Sequence, residues 1–60
     1  MLAIQHLPHG TRLRLTDGAL AEIRENPRDG TWLIVRRLAP EPGSEDELLI
    51  VDEIAEIVSQ

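Results

Sequence analysis

The feature that most restricts this chain is Arg12-Leu13-Arg14-Leu15, which alternates charge and leucine with period two and runs straight into Thr16-Asp17-Gly18. Alternation of this kind reads as a half-buried strand, and an Asp-Gly step directly after it reads as a hairpin turn. Loop length then decides the register. A two-residue turn would set Leu13 opposite Glu22 and Arg12 opposite Ile23, mixing charge into both faces of the sheet. A three-residue loop of Thr16, Asp17 and Gly18 keeps the faces apart, with Gly18 in the left-handed conformation that glycine adopts without a steric penalty. Leu15 then meets Ala19, Leu13 meets Ala21 and Thr11 meets Ile23 on the inner face. Arg12 faces Glu22 on the outer one, an opposite-charge pair worth about 0.2–1 kcal/mol.

A second hairpin follows, so that residues 10–38 read as three strands at 11–15, 19–25 and 31–38. Asn26-Pro27 opens its turn and Gly30 closes it in a left-handed conformation. A four-residue loop over residues 27–30 would pair Ile23 with Ile34 but turn Arg36 into the core opposite Ala21, and an unpaired buried charge costs too much. A five-residue loop pairs Ile23 with Leu33 and Ala21 with Val35. It also lays Trp32 beside Arg24 on the outer face, in reach of a cation–π contact. This second register is the expectation.

Residues 39–46 contain Pro40, Pro42, Gly43 and three acids, and read as a loop. Residues 47–60 support two readings. Ser44 with Glu47 makes a capping-box pattern, acids crowd the following turn, and Ile50, Val51, Ile54, Ile57 and Val58 form an apolar helical arc. Against this stands the dense run Leu48-Leu49-Ile50-Val51 and its β-branched continuation, which fit a strand at 47–51, a turn at Asp52-Glu53 and a last strand at 55–59. Periodicity does not choose between them.

The spacing Gly10-x-x-Leu13-x-Leu15-x-Asp17-Gly18-x-x-Ala21-x-Ile23 resembles the opening of small bacterial SH3-like β-barrels, including the KOW-type modules of transcription and translation proteins. The resemblance implies a single five-stranded, all-β barrel over residues 1–60, in which a single 3₁₀ turn separates the last two strands. A three-stranded meander with a C-terminal helix is the alternative. The stretch 19–25 lacks the glycine that KOW motifs carry, so the resemblance extends to the fold and not to nucleic-acid binding.

Composition narrows the function. Sixty residues make one domain that buries only about 60% of its unfolded surface, which favours oligomerisation as a source of stability. With no cysteine, neither disulfides nor thiolate metal sites exist, and with no Phe or Tyr and Trp32 alone the core is built from Leu, Ile, Val and Ala. No apolar segment approaches membrane-spanning length and residues 1–10 do not read as a signal peptide, so the expected location is cytoplasmic. Met1 to Gly10 reads as a lead-in arm with apolar Leu2 and Ile4. His6 and His9 would share a metal only on a helix, which Pro8 and Gly10 oppose, and they read as polar loop residues.

Catalysis has little to work with. The hydroxyls Thr11, Thr16, Thr31, Ser44 and Ser59 stand beside no histidine at a catalytic spacing, and there is no lysine and no glycine-rich phosphate cradle. Asp17 and Asp29 each precede a glycine and read as turn formers, while Glu45-Asp46-Glu47 lacks the alternating ligands of a cation loop. The expectation is a protein that is not an enzyme and uses no cofactor or metal.

Charge is divided along the chain. Residues 1–37 hold six arginines and four acids, +2, whereas residues 38–60 hold seven acids and no base, −7, which together make the net −5. The outer face would carry Arg12, Arg14, Arg24 and Arg36 around the apolar Leu20, Trp32 and Ile34. Apolar side chains rimmed by arginine suit a protein partner or a homo-oligomer. The same arginines suit a weak RNA-binding module as the alternative, and a small subunit of a larger enzyme is a third reading.

Overall fold

The computed structural model describes residues 3–59. The elements are β1 (Arg12–Leu15), β2 (Leu20–Glu25), β3 (Trp32–Ala39), β4 (Glu47–Ile50), a 3₁₀ turn (Val51–Glu53) and β5 (Ile54–Ser59). The five strands form one antiparallel sheet in the order β4-β3-β2-β1-β5. The chain is therefore all-β, and the acid-rich segment after residue 46 takes the strand, turn, strand form rather than the helical one.

The first hairpin has the register its alternation dictates: Arg12 opposite Glu22, Leu13 opposite Ala21, Arg14 opposite Leu20. Gly18 has φ +91°, its N–H donates to the Leu15 carbonyl at 2.9 Å, and the Leu15 N–H donates to the Ala19 carbonyl at 2.8 Å. The Asp17 side chain accepts the Ala19 N–H at 2.9 Å, which is the aspartate turn chemistry read from the sequence.

The second hairpin departs from expectation by two residues. Ile23 pairs with Val35 rather than Leu33, and Ala21 pairs with Arg37 rather than Val35, with register shifts on either side of this run. Trp32 consequently falls beyond the last β2–β3 pair, Glu25 with Ile34, and its cross-strand neighbour is Ile50 instead of Arg24. The reason is electrostatic. An arginine opposite Ala21 is tolerable because it is neither deeply buried nor unpaired. The Arg37 Nε donates to a Glu47 oxygen at 2.8 Å and Nη1 to an Asp17 oxygen at 3.1 Å. The burial penalty that disfavours such a register applies to an unpaired charge, and two carboxylates at the rim remove it.

The closed barrel is not formed: β4 and β5 do not pair, and the sheet is open between them. The 3₁₀ turn bridges the two margins instead. Its Val51 N–H donates to the Thr31 carbonyl ahead of β3, while the Glu53 carbonyl accepts the Thr16 N–H from the first hairpin turn, both at 2.9 Å. With its ends tied to separate parts of the sheet, the turn delivers β4 and β5 to opposite margins.

The core occupies one face of the sheet: Leu13, Leu15, Ala19, Ala21, Ile23, Leu33, Val35, Leu49 and Ile54. A sheet with no covering helix buries a face this thoroughly only by curling over it, aided by the arm before β1, which contributes Ile4 and Leu7. Asn26 holds that arm in place, donating through Nδ2 to the carbonyls of Ile4 at 2.9 Å and Leu7 at 3.0 Å. Gly30, at φ +90°, allows the arm to pass, since a Cβ there would stand 2.9 Å from the Gln5 side chain. Leu2, the other apolar residue of the arm, lies outside the described residues. Among the described residues no helix is long and apolar enough to cross a membrane.

Candidate interaction surface

Period two sends alternate residues of each strand to the convex outer face, and the sequence-selected residues Arg12, Arg14, Leu20, Arg24, Trp32, Ile34 and Arg36 are all exposed or half-buried. They do not make one patch. Leu20 pairs with Arg14 on one side and Ala39 on the other, five positions along β3 from Ile34 and so roughly 17 Å away.

Trp32 and Ile34 gather instead with two residues that a reading of residues 47–51 as one dense apolar run does not single out. Trp32 stands opposite Ile50 and Ile34 opposite Leu48. Leu49 between them is buried, whereas Leu48 and Ile50 are 57% and 50% exposed. The signal was present in the sequence: a strand with one buried face must turn half of Leu48-Leu49-Ile50 outward. The four side chains form a contiguous apolar block along the sheet margin.

Hydrogen-bond phase makes this margin chemically specific. The Val51 N–H to Thr31 carbonyl bond fixes which β4 residues bond to β3, so Leu49 and Glu47 point their backbone groups inward along the ladder. Leu48 and Ile50 point theirs away from β3, to the unpaired margin. The Ile50 N–H donates there to the Glu53 side chain at 3.2 Å, a cover supplied by the chain itself.

Two of the outer-face arginines lie against acids, one of them tightly. Arg36 donates through Nε to Asp46 Oδ1 at 2.9 Å and places Nη2 at the same distance from that oxygen, while the buried Arg24 Nε reaches the same atom only at 3.8 Å and has no hydrogen bond. Arg24 also lies 3.8 Å from Glu22. On the inner rim Arg37 joins Asp17 and Glu47. The Ala19 N–H, and after it Arg37, hold the Asp17 carboxyl below the usual aspartate range; Asp17, and after it Glu47, raise the Arg37 guanidinium. The acidic half of the chain thus neutralises the basic half locally at the start of β4. Arg12 and Arg14 form no ion pair among the described residues.

Among the described residues no three histidine, aspartate or glutamate side chains come together as a metal site. Thr11, a candidate hydroxyl, is buried and donates to the Pro8 carbonyl at 2.7 Å, and Thr31 donates to Asp29 at 2.9 Å. These are structural contacts. No protein-family model matches the chain, and no curated protein or solved structure does so either.

Proposed function

We propose that the chain is a non-catalytic binding or accessory module of the SH3-like type that works through a protein–protein interface on the outer face of its sheet. The observation that carries this reading is the outward block of Trp32, Ile34, Leu48 and Ile50, which places a large aromatic ring among aliphatic neighbours at a sheet margin. Aromatic anchors surrounded by apolar contacts and rimmed by arginine are what interface centres are made of. Strand, 3₁₀ turn and strand after residue 46 support kinship with the small barrels.

Commitment of Arg36 to Asp46 speaks against an RNA-binding face, because a paired guanidinium group neutralises little phosphate charge and so releases few counterions. The test compares partner capture from the native host by the wild-type chain and by Trp32→Ala, with the captured protein identified and then titrated in purified form. Trp32→Ala is expected to weaken that binding by about tenfold or more, with any single arginine change doing less. RNA binding that falls steeply with salt, is lost in Arg14→Glu and Arg36→Glu, and survives Trp32→Ala would overturn the proposal.

A further inference from the structure

Resting on that interface reading, we infer that the partner binds by strand addition: a basic, extended segment of another protein pairs with the free margin of β4. Three observations on β4 converge. Its pairing with β3 is in unbroken register, so its outer margin is straight enough to template another strand. Leu48 and Ile50 direct their backbone N–H and carbonyl groups to that margin, where among the described residues the Ile50 N–H meets only the removable carboxylate of Glu53. The side chains of the same two residues, at 57% and 50% exposed, offer apolar contact to every second residue of an incoming strand.

Charge selects the occupant. Glu45 stands ahead of β4, and Asp52 and Glu53 stand after it, all exposed; none of them forms an ion pair among the described residues. A strand with lysine or arginine at both ends therefore meets carboxylate at both ends. A second copy meets repulsion. Two-fold pairing about Leu49 keeps the outward residues together only in the register that sets Glu45 against the second copy's Glu53, and each copy carries a net −5. When the basic strand binds, its carbonyl replaces Glu53 Oε2 as acceptor for the Ile50 N–H, which frees that carboxylate for a lysine.

The probe is a short synthetic peptide of alternating valine and threonine flanked by lysines, titrated into the isotope-labelled chain. Saturable binding is expected, with amide hydrogen exchange at Leu48 slowed about tenfold or more and the β1 amides unchanged. An analogue N-methylated at the amides that would pair is expected to bind about tenfold or more weakly, as is a glutamate-flanked analogue. Because the methyl groups are on the peptide, folding of the chain is not at issue. Equal binding of either analogue, no response at Leu48, or no saturable binding below about 1 mM overturns strand addition. A dimer that protects Leu48 without peptide also overturns it, in favour of a second copy. If partner capture still depends on Trp32 in those cases, the interface reading stands alone; if capture is indifferent to Trp32→Ala, that reading falls instead.

Discussion

At one margin of the sheet β5 pairs with β1 through two register shifts, whereas at the other β4 pairs with β3 without any. Both margins expose aliphatic side chains, Val58 on β5 and Leu48 with Ile50 on β4. The bulges make the difference. They bring Ile54 opposite Leu15 and Ile57 opposite Leu13, so residues three apart face the same side and the strand loses the even spacing a further strand requires. β4 keeps that spacing and, among the described residues, has only the Glu53 carboxylate bonded over its edge. An irregular edge resists pairing by its geometry; a regular one guarded by a side chain is shut only as long as that side chain stays.

The largest test of this contrast lies beneath the two margins. Leu49→Ala should destabilise the chain by about 2–5 kcal/mol, enough to unfold much of a domain this small, as measured by chemical denaturation. Ile54→Ala should cost less, because the bulged strand around it relaxes more readily into the vacated space. The opposite order would show β5 to be the more rigid margin. Gly18→Val should cost more than about 1 kcal/mol, since a β-branched residue would have to hold φ near +91°. No change there would mean that the turn joining β1 to β2 does not hold residue 18 in that conformation.

A smaller effect is expected from pH. The Asp17 pKa is depressed in the folded chain by the Ala19 N–H and Arg37, so its contribution to stability is present above the unfolded aspartate value and is lost as pH falls through the folded one. The stability difference between the wild type and Asp17→Asn should therefore narrow as pH drops below about 4, in thermal melts at fixed ionic strength. A difference constant with pH would contradict the Asp17–Arg37 contact. Smallest of all, Leu48→Thr and Val58→Thr should each change stability by within about 0.5 kcal/mol, yet only Leu48→Thr should weaken partner binding. Equal losses of binding would erase the contrast between the margins.

What could be read in advance follows the physics of each element. The first hairpin was legible pair by pair because alternation and an Asp-Gly turn require one register; it sets Arg12 opposite Glu22, although the expected ion pair between them does not form. After residue 46 the residues alone leave helix and strand open, and only the resemblance to small barrels favours the strand, turn and strand that form. In the second hairpin the cost of an arginine opposite Ala21, argued for Arg36, was set as for a charge without a partner, whereas Arg37 takes that place and meets Glu47 ten residues and Asp17 twenty residues away along the chain. Bulges leave little trace in composition, so neither the irregular β5 margin nor the open sheet was foreseeable. At the surface, Trp32 and Ile34 stood out as bulky residues in an alternating strand, whereas Leu48 and Ile50 were concealed in a continuous apolar run. Asn26 reads as a turn former, and its hold on the arm depends on a contact distant in sequence.

The position of Trp32 carries an optical consequence. With no tyrosine or phenylalanine in the chain, near-ultraviolet absorption and emission come from this one half-buried ring opposite Ile50. Its light therefore reports on the β3–β4 margin and on little else. Unfolding followed by emission watches that margin, while far-ultraviolet dichroism averages over all five strands. Coincident curves would mean that the margin melts together with the sheet, and an emission change at lower denaturant would mean that the β4 edge loosens first while the rest of the fold is intact.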